Sequence, residues 1–220
     1  MNTRPLLAAC LSMSLVGCSI GRPMPEVTKY IVDLPVDAVS SSDRRLRGTL
    51  RMGNVRVAAA FASSALIYRF DDVHYVSDPY HAFMVSPGEM LGSRIAAWLD
   101  QVGPFRAVAQ PGTAQPASYV LEASVTELYG DFRKGQPPAA VMAMQLAVID
   151  QSSARPKLVY GRSLSRRIEL SAASPEALVH GYGAALADTL AQVVVELGEQ
   201  IDAALARRRS SSVTTAVPPQ

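Results

Sequence analysis

Two cysteines and three histidines are all the thiol and imidazole that 220 residues offer. Cys10 sits inside an apolar N-terminal run and Cys18 at its end. Removal of a leader through Gly17 leaves Cys18 as the one thiol of the mature chain. Disulfides are then excluded, and so, once Cys18 is modified, are cysteine-ligated metals and cysteine nucleophiles. His74, His81 and His180 are scattered. The tightest grouping, His74, Asp78 and His81, straddles an Asp78-Pro79 turn signal and falls short of a recognisable zinc spacing. The chain has no Gly-x-Ser-x-Gly, no glycine-rich phosphate loop ending in Lys-Ser/Thr, and no His-Glu-x-x-His. An envelope hydrolase is thereby left without a visible nucleophile–base pair, and neither a cofactor nor a metal is expected. Charge of one sign is also lacking: 21 Lys and Arg stand against 19 Asp and Glu. Such a balance gives no electrostatic basis for nucleic acid, or for an anionic membrane, as the main partner.

What is present begins with the N-terminus. Arg4 precedes an apolar run from Leu6 to Val16, about 11 residues and too short to cross a bilayer as a helix, so it reads as the core of a signal peptide. Leu15-Val16-Gly17-Cys18 has the order of a lipobox. The Cys18 thiol takes a diacylglycerol as a thioether, and small Gly17 admits the lipoprotein signal peptidase. Ordinary secretory cleavage after Gly17 would place bulky Leu15 where a small residue is preferred. Each buried acyl methylene contributes ~0.8 kcal/mol, so two or three chains hold stably where one does not. Ser19, rather than Asp, at the second mature position is the residue choice that permits sorting to the outer membrane in proteobacteria. The expected chain is therefore a leader over 1–17, an acylated cysteine and tether over 18–28, one domain over 29–209 and a Ser/Thr/Pro-rich disordered tail over 210–220.

Within the domain, strands are predicted at Tyr30–Leu34, at Leu50–Val57 with a break near Gly53-Asn54, and in a small hairpin of Ala65–Phe70 and Val73–Val76 around Asp71-Asp72. Ser86-Pro87-Gly88-Glu89 is a capping box with proline at the first helical position, and Met90 to Val102 follow at helical spacing until Gly103-Pro104. Alternation marks three longer strands: one from Tyr119, one over Val141–Asp150 and one over Lys157–Leu170. Their short connections predict an antiparallel meander. From Ser174-Pro175-Glu176 a long apolar helix runs towards Arg207-Arg208-Arg209. The reading is an α+β fold, a two-layer domain with a mostly antiparallel sheet packed against two helices, the second long and C-terminal. Tyr68, Phe70, Tyr75, Tyr80 and Phe83 crowd one stretch, and Tyr129, Phe132 and Arg133 another, where the Tyr119 strand loses its alternation. These are the candidate partner-binding residues, although aromatics in strands also serve as ordinary core.

The ordered set of Tyr30-x-x-x-Leu34-Pro35, Leu50 to Val57, Leu66-Ile67-Tyr68-Arg69, Tyr80-x-x-Phe83, Pro87-Gly88-x-Met90-Leu91, Trp98-Leu99 and Gly103-x-Phe105-x-x-Val108 resembles the ABC-type transport auxiliary lipoproteins. Relatives of paraquat-inducible protein C belong to that group. Where members often carry a Trp before the first helix, this chain has His81-Ala82-Phe83. The resemblance implies non-enzymatic work on the periplasmic face of the outer membrane. It implies docking of a periplasmic protein with mammalian-cell-entry (MCE) domains and its inner-membrane ABC permease and ATPase, which move phospholipids or other hydrophobic compounds. It also implies possible assembly into a homo-oligomeric ring. A different expectation is a lipid carrier whose sheet and long helix enclose an acyl chain.

Overall fold

The computed structural model describes residues 26–35 and 46–214. Cys18, the leader and most of the tether lie outside them. The strands are β1 (Thr28–Tyr30), β2 (Leu46–Val57), β3 (Ala65–Arg69), β4 (Tyr75–Phe83), β5 (Phe105–Ala109), β6 (Tyr119–Asp131), β7 (Ala139–Asp150) and β8 (Lys157–Glu169). The helices are α1 (Pro87–Val102), between β4 and β5, and α2 (Pro175–Thr214).

Local chemistry places several of these ends. The Ser86 hydroxyl accepts from the Glu89 N–H at 3.4 Å and donates to the Glu89 carboxylate at 2.8 Å, closing the predicted capping box at the start of α1. The Ser174 hydroxyl accepts from the Ala177 N–H at the start of α2. That helix continues to Thr214, past the Arg209 boundary expected from the sequence.

β6, β7 and β8 form the expected antiparallel meander, with β6 paired to β7 from Tyr119↔Asp150 to Asp131↔Ala139. The sheet as a whole is mixed. β2 lies parallel to both β5 and β6, β3 parallel to β6, and β1 parallel to β4. Parallel neighbours need a long crossover, and between β2 and β5 it runs through β3, β4 and α1. The 13 residues of β6 accommodate β2 along their first half and β3 at Gly130 and Asp131 on the same edge. Three expectations change in detail. The break near Gly53-Asn54 is a register shift between Met52 and Val55 in one continuous strand, a bulge rather than an end. Phe105–Ala109, not expected as a strand, is β5. The first strand is Thr28–Tyr30, and Val32 and Leu34 beyond it are buried in the core, the Val32 N–H donating to Met90 Sδ of α1 at 3.4 Å, instead of joining a ladder.

Both helices cover one face of the sheet. Leu50, Met52, Leu121, Val125, Met142 and Met144 from the strands meet Leu91, Ile95 and Trp98 of α1 and Leu178, Tyr182, Leu186 and Leu190 of α2 in one buried core. Each such side chain taken from water contributes roughly 1.5–3 kcal/mol. On the opposite face Ile67, Tyr129 and Val141 form a separate small cluster, capped by Phe61 from the 3-10 turn Ala59–Phe61.

Candidate functional site

Alternation along β3 and β6 sends neighbouring aromatics to opposite sides of the sheet. Tyr68 faces the helices, where its ring stacks on Phe132 at 5.1 Å and its hydroxyl donates to Asp78 at 2.6 Å. Phe83 is buried beside Tyr182, with ring centroids 6.1 Å apart. On the other face Tyr129 is buried between Phe61, stacked at 5.9 Å, and Tyr75, edge-on at 5.3 Å. The candidates therefore do not form one surface. Tyr68, Phe83 and Tyr129 serve packing, whereas Phe70, Tyr75 and Tyr80 remain 41–48 % exposed.

The β3–β4 turn separates two of these exposed rings: Phe70 lies with Tyr68 and Phe132 on the helix side, and Tyr75 with Phe61 and Tyr129 on the other. Asp71 Oδ1 accepts the N–H groups of Val73 and His74 at 2.9 and 2.7 Å, and these hold its carboxyl below the usual carboxylate range. Arg69 donates to the carbonyls of Asp71 and Asp72 at 2.9 and 3.2 Å and lies over the rings of Tyr75 and Tyr129. Arg133 grips the Asp72 carboxylate at 2.9 Å. This clamp presents Val73, 88 % exposed, between Phe70 and Tyr75. Beside it Ala60, Phe61, Ile67, Tyr75, Val76 and Ser77 line a largely apolar depression of about 440 Å³.

The clamp is anchored by Asp131, which is 1 % exposed. Arg133 donates two hydrogen bonds to it at 2.9 Å each, and Arg167 from β8 donates a third. Hydrogen bonding from Arg133 first, with Arg167 in support, outweighs burial and draws the Asp131 carboxyl down to about 2.

A second polar cluster pins β1. The Tyr30 hydroxyl donates to Glu176 at 2.6 Å, and burial together with that carboxylate pushes the phenol up to about 12. The β3–β4 register jumps from Ala65↔Ala82 to Ile67↔Ser77, so residues 78–81 bulge where Asp78-Pro79 reads as a turn. Asp78 accepts there from Tyr68, from the N–H groups of Tyr80 and His81, and pairs with His81 Nδ1 at 2.7 Å. Burial opposes its ionisation, but these bonds together hold Asp78 below the usual carboxylate range. His74 pairs instead with Asp71 at 3.9 Å. The two histidines thus turn to different aspartates, and no metal-ligand cluster occurs among the described residues.

Sequence reasoning missed Phe61, Ile67, Arg69 and Val73. The Asp71-Asp72 turn and the candidates Phe70, Tyr75 and Arg133 are the legible signals for this tip; Phe61 lies in an Ala/Ser stretch with no alternation.

Comparison with known proteins adds the following. The model of a family described as ABC-type transport auxiliary lipoprotein component matches residues 30–194. No curated protein sequence matches the chain. Among solved structures, a Xanthomonas campestris protein assigned to family DUF330 is similar at 17 % identity and a TM-score of 0.66, covering 80 % of this chain and 99 % of that one. A second, an uncharacterised protein, is 20 % identical with a TM-score of 0.57 over the same shares of the two chains. At these identities the likeness is one of fold.

Proposed function

The chain belongs to the ABC-type transport auxiliary lipoprotein family, and on that premise we propose that it is the lipid-anchored docking component of an MCE-type system moving phospholipids or other hydrophobic compounds. Acyl chains on Cys18 hold it at the periplasmic face of the outer membrane. Its body engages the MCE protein served by the inner-membrane permease and ATPase. The observation that carries the docking role is the β3–β4 tip. Val73, almost wholly in water on a turn held by Arg69, Asp71 and Arg133, stands beside the apolar depression of Phe61, Ile67 and Tyr75, and together they have the form of a pre-organised contact. Of the residues expected to bind a partner, Phe70 and Tyr75 lie at this tip, and Arg133 braces it.

A carrier would need room between sheet and helices. That space is filled by Leu50, Leu121, Met142 and Leu186, each 0–1 % exposed, which favours docking. Self-association into a ring is part of this reading, since β8 pairs only with β7 among the described residues and leaves an edge for another strand. The test is affinity purification of the tagged lipoprotein from its own envelope. Recovery of an MCE protein with the ABC subunits is expected; recovery of neither above background rejects the reading.

A further inference from the structure

We infer that the β1–β4 edge rests on the bilayer that holds the anchor, as an apolar contact additional to the acyl chains. The inference depends on the lipid anchor of the preceding reading. β1 and β4 run parallel with Thr28 beside His81, Lys29 beside Ala82 and Tyr30 beside Phe83. Continuing that register places Val27 beside Tyr80 and Ile31 beside Met84, and the Met84 N–H donates to the Tyr30 carbonyl at 2.8 Å. Val27, Ile31, Tyr80 and Met84 are each 42–48 % exposed. Along β1, Val27, Lys29 and Ile31 alternate with Thr28 and Tyr30, and Tyr30 is turned to Glu176. One side of the edge therefore carries Val, Tyr, Ile and Met around a single exposed lysine.

Single exposed apolar residues need no explanation, but four on one short edge do. The position of this edge in the chain identifies what covers it. Only nine steps separate Cys18 from Val27, a reach of about 30 Å when fully extended. The edge is consequently where the anchored tether joins the body. Aliphatic side chains with a tyrosine and a lysine suit the boundary between headgroups and hydrocarbon, the lysine stem lying along apolar surface with its ammonium in water. The contact is apolar and so agrees with a chain that carries little net charge. β4 leads away from this edge to the hairpin tip. From Ala82 to Tyr75 β4 lies along the four steps of β3 from Ala65 to Arg69, roughly 13 Å at 3.3 Å each, and Val73 lies beyond that far end, which puts the docking tip on the side away from the bilayer.

Because acylation blocks Cys18, an introduced cysteine becomes the one free thiol of the mature chain. Met84→Cys and Val73→Cys, each made in the full lipidated protein, are spin-labelled and reconstituted into phosphatidylethanolamine–phosphatidylglycerol vesicles. Collision rates with oxygen and with a water-soluble nickel chelate are then compared. The oxygen-to-nickel ratio at position 84 is expected to exceed that at position 73 several-fold. Equal, water-like ratios in protein that floats with the vesicles overturn the contact and leave the anchor standing. Protein that does not float, and whose Cys18 takes up label, overturns the anchor and the contact with it.

Discussion

Arg133, at the end of β6, reaches Asp72 in the β3–β4 turn with 2.9 Å between Nη1 and Oδ1, 61 residues away in sequence. Its other nitrogens hold Asp131, so one guanidinium ties a buried carboxylate to an exposed turn. Arg133→Ala leaves Asp131 with Arg167 alone and frees the turn. Urea unfolding is expected to show a loss of stability. Hydrogen exchange at Val73 and His74 should rise as well. Unchanged exchange there would show that Asp71 holds the turn without help.

The same carboxylate sets a pH dependence. Asp131 is drawn below its unfolded value to about 2. A depressed carboxyl contributes stability that is present above the unfolded pKa and is lost as pH falls through the folded one. Arg133 and Arg167 are the charged partners that face it. Asp131→Asn is therefore expected to lower stability at neutral pH by about 1–2 kcal/mol, allowing for solvent at Arg167. The difference from the natural chain should shrink between about pH 4 and pH 2. A difference that does not change with pH would mean that shape, not charge, is what Asn removes.

Gly183 illustrates a close approach. A Cβ added there would lie 2.1 Å from the Asp33 carbonyl oxygen, in the segment whose Val32 and Leu34 are buried in the core. In an ordinary helix interior glycine is worse than alanine by roughly 0.5–1 kcal/mol. Gly183→Ala should instead destabilise, with raised hydrogen exchange over residues 31–35. Gly198 on the same helix has open space around it, so Gly198→Ala should stabilise. If both substitutions move the melting temperature upward, the approach of the 31–35 segment to α2 is wrong.

Val73→Asp separates docking from folding. The side chain is almost wholly in water and packs on nothing that the fold requires. Stability is expected to stay within about 0.5 kcal/mol. Capture of the MCE protein should fall sharply, because a carboxylate at the centre of an apolar contact must be desolvated. Capture at the level of the natural chain would remove the tip from the docking surface.

Local signals carried the elements whose causes are local. Ser86 and Glu89 announce α1 because a cap is satisfied within one turn. β6, β7 and β8 are legible because their short connections force antiparallel neighbours, and α2 because its apolar residues keep helical spacing. Alternation likewise states that Tyr68 and Arg69 point to opposite sides. It does not state which side the helices cover or which strand lies alongside, and those are settled only when distant segments compete to bury surface. Hence β5, five residues without a clean pattern, becomes a strand because β2 offers it an edge, and the sheet is mixed although its strands read no differently from antiparallel ones. The same cause scattered the aromatic candidates. Tyr68 went to the core, Tyr75 to the open face and Tyr80 to the β1 edge, while Arg133 found Asp72 through tertiary packing alone, since no residue spacing encodes a contact between two turns of separate hairpins.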